Sequence, residues 1–144
     1  TGGSTGPRCF LSETLGAIAW ARAEAGSAEE ALVTLGEALA MVEETGERTY
    51  EAELLRLKGT VLSAQGKEAE GETSLLEAIA VARRQRTRAW ELRATVSLCR
   101  LWQRQGKGQE AREALEEVYG WFTEGFDTPD LLEARGLLGE LGRR

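Results

Sequence analysis

Gly26, Gly66 and Gly106 fall 40 residues apart, and the residues that follow them repeat on the same period. Ala31, Gly71 and Ala111 hold one recurring small position, and Leu35, Leu75 and Leu115, four residues further on, hold a recurring large one. A fixed period of this size means stacked helical hairpins, because one such unit cannot bury its apolar face alone and must lean on its neighbours. Each unit reads as a helix, a glycine turn and a second helix.

The composition suits helix throughout. Ala, Leu, Glu and Arg dominate, proline occurs only twice, and histidine and asparagine are absent. The 144 residues fit one domain or a short solenoid. The repeats are expected at about residues 7–45, 47–85 and 88–123, after a flexible leader over 1–6 and before a capping helix at about 128–142. Pro7 is placed to open the first helix, since its missing N–H would be unpaired there anyway. Gly26 ends that helix, and Ser27 followed by Glu30 reads as a capping box for the next. The apolar periodicity gives six helices near 7–25, 28–44, 48–65, 68–85, 88–105 and 109–122, with Leu75 and Leu76 facing inward on the fourth, and a seventh beyond them on which Leu131 and Leu132 face inward. Thr128 or Asp127 is expected to cap the seventh, with Pro129 in its first turn and Asp130 at its positive end. Trp121, Phe122 and Phe126 are expected to seal the last pair against this helix.

Hairpins pack closely only where small residues let two backbones approach. Those positions are Ala19, Gly59 and Cys99 on the first helices, and Ala31, Gly71 and Ala111, then Ala38 and Ala78, on the second. If the register is uniform, a methyl group fits at Gly71 as it does at 31 and 111, and Gly71→Ala stabilises the fold by roughly 0.5–1 kcal/mol. If the second hairpin packs more tightly, the same change destabilises it by about 1–3 kcal/mol.

This alternation of small and large positions resembles the tetratricopeptide repeat, stretched beyond its usual ~34 residues. The resemblance implies an all-α, right-handed solenoid of three hairpins plus a capping helix. It narrows on Thr49-Tyr50-Glu51-Ala52-Glu53-Leu54-Leu55-Arg56-Leu57-Lys58-Gly59, on the run from Trp90 to Trp102, and on the ending VYGWFTEGFDTPDL. These are similar to the C-terminal repeat tails of bacterial signal-transduction ATPases, chains that carry an adenylate-cyclase or winged-helix output domain before an NTPase. The likeness covers about residues 8–141. It implies a cytoplasmic module that binds or senses a partner and restrains the ATPase, while the catalytic motifs of such chains lie outside what is matched.

The residues themselves argue against catalysis. Six residues, not four, separate Gly59 from the Gly66-Lys67 pair, so no phosphate loop is formed. Without histidine there is no Ser-His or Cys-His nucleophile. Cys9 and Cys99 form no metal-ligand spacing and read as two reduced thiols. No cofactor or metal is expected. The net charge of −6 argues against nucleic acid and anionic membranes as partners, and no apolar run approaches the ~18 residues of a membrane span.

In tetratricopeptide arrays the first helices of the pairs line the concave face. Carried over by position, the groove candidates are Glu13, Trp20 and Ala23, then Glu53, Arg56, Thr60 and Ser63, then Arg93, Arg100, Gln103 and Arg104. The first half of the chain (1–72) carries a charge of −7 and the second half (73–144) +1. Between residues 83 and 104 seven arginines accompany Glu91 as the sole acid. A groove acidic at one end and arginine-rich at the other suits an extended acidic peptide held by guanidinium forks, provided the arginines do not simply pair with glutamates of neighbouring repeats. The clamp by which this superfamily holds chaperone tails uses asparagine, which disfavours that partner here. Two other uses stay open: a groove for a small anionic effector, and a weak homodimer through the N-terminal face of Phe10, Leu11, Leu15 and Ile18. Trp20 and Trp102 are read as core residues or as groove anchors.

Overall fold

The computed structural model describes the backbone of residues 2–142 and the side chains from residue 12 onward. The described residues form seven helices: α1 (Gly2–Glu24), α2 (Ala28–Thr45), α3 (Glu51–Ala64), α4 (Glu68–Gln85), α5 (Arg88–Arg104), α6 (Gly108–Tyr119) and α7 (Pro129–Leu141). α1 starts five residues ahead of Pro7, so Gly2 to Gly6 belong to the helix rather than to a separate leader.

The three glycine turns are alike in detail. Gly26, Gly66 and Gly106 take φ of +92°, +86° and +80°. The residue after each donates its N–H back into the helix just ended: Ser27 to Arg22 at 2.8 Å, Lys67 to Leu62 at 3.0 Å and Lys107 to Trp102 at 2.8 Å. This left-handed termination satisfies carbonyls that would otherwise be orphaned. It also corrects the capping-box expectation. Ser27 is held by the end of α1 at ψ 62°, away from the extended backbone that aims a cap side chain, and it makes no side-chain cap hydrogen bond. Thr128 does stand at the N-cap of α7 with extended backbone (ψ 152°), again without a side-chain cap bond, and Pro129 opens the helix.

Each glycine turn folds a hairpin, α1 on α2, α3 on α4 and α5 on α6, and consecutive hairpins stack. The first helices also touch in series, α1 to α3, α3 to α5 and α5 to α7, so they form one continuous layer. Three clusters make the core. Ala19, Ala31, Leu35, Ala38, Leu54 and Val61 fill the first. Leu55, Leu75, Ala78, Ala82, Leu98 and Leu101 fill the second. The third holds Leu92, Cys99, Ala111, Leu115, Leu131 and Leu137. Tyr50 and Trp90, 40 residues apart in the register, meet edge to face at 5.5 Å between ring centres.

α7 occupies the place of a fourth first helix. Its inner side buries Leu131, Ala134, Leu137 and Leu141 against the third cluster. Its other side shows half-exposed Leu132 and the uncrowded glycines Gly136 and Gly139, with little apolar surface left to cover. Leu132 and Leu76 were expected to face inward and do not. Adjacent residues on a helix point about 100° apart, so of the pairs Leu75–Leu76 and Leu131–Leu132 only one member reaches the centre of the buried stripe. Phe126 is also corrected. Trp121 and Phe122 pack on the third cluster, whereas Phe126 stays exposed and rests on Tyr119 at 5.8 Å.

The small positions are buried in all three hairpins, but not at one spacing. A Cβ on Gly71 would run into Ser63 Oγ and lie 2.8 Å from the Gly59 carbonyl oxygen. One on Gly59 would lie 2.7 Å from Leu75 Cγ and 2.9 Å from the Gly71 carbonyl oxygen. Only hydrogen fits at either place, so the stabilising reading of Gly71→Ala is overturned. No helix among the described residues is long and apolar enough to cross a membrane. The expectations for Cys9, Phe10 and Leu11 concern side chains outside the described residues. Ile18, of the same N-terminal face, is 40% exposed.

Candidate functional site

The layer of first helices carries three clefts that share walls. One, of about 190 Å³ between α1 and α3, is lined by Trp20, Tyr50, Glu53, Arg56 and Leu57 among others. The next, of about 200 Å³, takes in Arg56, Arg93, Ser97, Arg100, Asp130 and Glu133, and so crosses from α3 over α5 to α7. The third, of about 270 Å³ between α3 and α5, is walled by Thr60, Ser63, Ser97, Arg100, Leu101 and Arg104. Arg56 joins the first cleft to the second, and Ser97 with Arg100 joins the second to the third. The register explains the alignment. Residues 40 apart share a height on successive first helices, so Trp20, Thr60 and Arg100 form one rung.

The middle of this groove is an ion-pair network. Glu53 is 3% exposed, the burial of a core residue. Arg56 grips it with a fork, Nε to Oε2 at 2.8 Å and Nη2 to Oε1 at 3.0 Å, and Arg93 Nη1 donates to Oε1 at 3.2 Å. Such a carboxylate is tolerated inside because it is both paired and hydrogen-bonded. Arg93 then turns its Nε to both oxygens of Asp130, at 3.1 and 3.2 Å. Burial alone would lower the pKa of the Arg93 guanidinium, but the charges and hydrogen bonds of Glu53 and Asp130 outweigh it and hold the pKa above the ordinary arginine value. Arg100 reaches Glu133 Oε2 from Nε at 3.2 Å and from Nη2 at 3.1 Å. Arg104 has no ion pair among the described residues.

The structure thus brings Trp20, Glu53, Arg56, Thr60, Arg93, Arg100 and Arg104 onto one groove, with different standings. Glu53 is enclosed and holds its arginines rather than offering itself to a partner, because both of its oxygens are already occupied. Thr60 donates its hydroxyl to the Arg56 carbonyl at 2.9 Å, and Ser63 donates to the Gly59 carbonyl at 2.8 Å. Trp20 is 37% exposed and faces the first cleft, whereas Trp102 packs between two core clusters. Glu13 lies exposed on α1 outside the three clefts, and Ala23 is half-buried in the first core cluster. Gln103 sits on the flank of α5 and donates to Glu140 at 3.3 Å. Of the remaining arginines in the basic stretch, Arg83 pairs with buried Glu91 and Arg88 lies 4.8 Å above the Trp121 ring. Ser97, Asp130 and Glu133 are groove residues that the sequence reading missed. The 40-residue register held no signal for the last two, since Arg93 meets Asp130 and Arg100 meets Glu133, 37 and 33 residues on.

No protein-family model matches the chain, and no curated protein sequence matches it. Solved structures do. Two crystal structures of the nearly identical TPR-like repeats assigned to a kinesin light chain of Podosopora anserina superpose on it with TM-scores of 0.71 and 0.68. Both are 22% identical to it over 90% of its length, and one of them carries a single substitution. The chain spans 64% of the length of those structures. At this identity the likeness establishes the fold, which is an all-α tetratricopeptide-like solenoid.

Proposed function

We propose that the chain is a non-catalytic protein-interaction module that takes an extended, acidic segment of a partner protein along the layer of first helices. The observation that carries this reading is the joined groove, running from exposed Trp20 across Arg56 and Thr60 to Arg100 and unpaired Arg104. Trp20 offers an apolar wall for one side chain, and the arginines offer planar donor forks for carboxylates. A fluorescein-labelled Glu-rich 12-residue peptide tests it by anisotropy. Binding should weaken steeply as salt rises, and it should disappear in an Arg100→Glu, Arg104→Glu double variant whose urea midpoint is unchanged. Binding that ignores salt, or that survives the reversal of both charges, refutes the reading.

The similarity of the Trp90–Trp102 run and the VYGWFTEGFDTPDL ending to the tails of signal-transduction ATPases supports a regulatory place for this module, restraining an NTPase in the same polypeptide. Sequencing the reading frame on the N-terminal side decides it. A frame without a phosphate-loop NTPase sinks the proposal and leaves an adaptor.

A further inference from the structure

The four arginines that line the groove are not equally available. Arg56 and Arg93 close around Glu53, whose side chain is only 4% exposed, and Arg93 is tied to Asp130 as well. Withdrawing either would take one of two cations from a buried carboxylate, so these two are held firmly. Arg100 is held otherwise. Its partner Glu133 is half-exposed (51%), as is Arg100 itself (41%), and both contacts fall on one carboxylate oxygen. A solvent-exposed pair of this kind is worth only about 0–1 kcal/mol and exchanges readily. Arg104 lies one helical turn further along α5, on the same cleft, and is unpaired among the described residues.

We infer that Glu133 holds the place of a partner's carboxylate on Arg100, and that an acidic peptide binds by displacing Glu133 and placing its own carboxylate in the cleft between Arg100 and Arg104. This inference rests on the groove reading above and adds the point of exchange. A glutamate or aspartate side chain entering the 270 Å³ cleft meets both guanidiniums and the Ser97 hydroxyl, whereas Glu133 engages Arg100 alone. The incoming carboxylate therefore gains a second cation. α7 need not move for this exchange. Its buried Leu131, Ala134, Leu137 and Leu141 keep the helix docked while the Glu133 side chain swings out into solvent.

The test uses the same labelled Glu-rich peptide on the full chain. Glu133→Gln should tighten binding by about two- to fivefold, the factor that removing a weak competing pair allows. The gain should vanish in an Arg100→Ala background, and Arg104→Ala should weaken the peptide. Glu140→Gln is the control, because it removes the same charge from the same helix but at a residue that pairs with Gln103 outside the cleft. It should change the affinity by less than about twofold, as expected for a screened, exposed charge. If Glu133→Gln is neutral or weakens binding, or if Glu140→Gln gives an equal gain, the exchange is wrong while the groove reading stands. If no variant binds the peptide, both fall.

Discussion

Forty residues separate Gly59 and Gly71 from Cys99 and Ala111, and both pairs sit where the two helices of a hairpin approach each other. In the second hairpin the approach is set by backbone, since a Cβ at either glycine would strike the opposite carbonyl oxygen at 2.8–2.9 Å. In the third it is set by side chains, with the Cys99 thiol donating to the Ala111 carbonyl at 3.1 Å. One register therefore accommodates two spacings. Small is what the position requires, and how small is decided by the neighbours, here Ser63 and Leu75 in the second hairpin.

Swapping the residues between hairpins should expose this difference, and Gly71→Ala should have the largest effect. The new methyl meets Ser63 Oγ and the Gly59 carbonyl, and the second of these is backbone that cannot rotate away. A loss of about 1–3 kcal/mol is expected. Ser63→Ala added to Gly71→Ala should recover only part of it, because the carbonyl contact remains. The reverse swap, Ala111→Gly, should also destabilise, by about 1 kcal/mol, through the freedom that glycine gives the unfolded chain. Urea midpoints of the variants decide. A gain in stability on Gly71→Ala would mean that the two hairpins pack alike after all.

Cys99 allows a sharper test through pH. Its thiol has no exposed surface, and burial pushes its pKa up to about 12. The unfolded thiol titrates near its ordinary value of about 8.5. Between those values the unfolded chain has released a proton that the folded chain still holds, so stability falls as pH rises. From pH 8 to pH 10 the wild type should lose about 1–2 kcal/mol more than Cys99→Ala, in which other titrating groups are unchanged. Parallel losses in the two proteins would mean that water reaches the thiol and that the third hairpin is looser than its geometry indicates.

Both hairpins were visible in the sequence as a period, and their difference was not. The 40-residue repeat located the turns, the small positions and the order of the helices, because glycine at a left-handed turn and Leu at a buried rung are local requirements. Whether Gly71 tolerates a methyl depends on a residue eight positions earlier, on the other helix, and no periodicity reports that. The groove divides the same way. The rung of Trp20, Thr60 and Arg100 followed from the register, whereas the capture of Arg93 and Arg100 by Asp130 and Glu133 depends on how α7 docks. Asp130 carried a sufficient local explanation as a helix-start acid, which hid its second use. The leucine doublets misled for a related reason, since composition marks both residues as apolar and only the packing angle chooses between them.

The turn between the two hairpins carries the smallest of these effects. α2 ends on Gly46 at φ +73°, and 40 residues later α4 ends on Arg86 at φ +58°, the single positive φ on a residue other than glycine among those described. The termination is otherwise the one seen at the glycine turns, with Thr87 N–H donating to the Ala82 carbonyl at 3.0 Å and Arg86 N–H to the Arg83 carbonyl at 3.1 Å. A side chain in the left-handed region crowds its own carbonyl, a cost that glycine avoids. Glycine also enlarges the freedom of the unfolded chain, which opposes the gain. Arg86 is exposed and holds no ion pair among the described residues, so little else is lost with its side chain. Arg86→Gly should therefore raise stability by about 0.5–1 kcal/mol, read as a higher urea midpoint at unchanged slope. Placing the change in the Gly71→Ala background makes the comparison stricter. The two sites share no contact partner, so their effects should add to within about 0.5 kcal/mol. A larger departure would mean that crowding Gly71 shifts α4 far enough to reset its own C-terminal turn, and that the second hairpin yields as a unit rather than at the glycine contact alone.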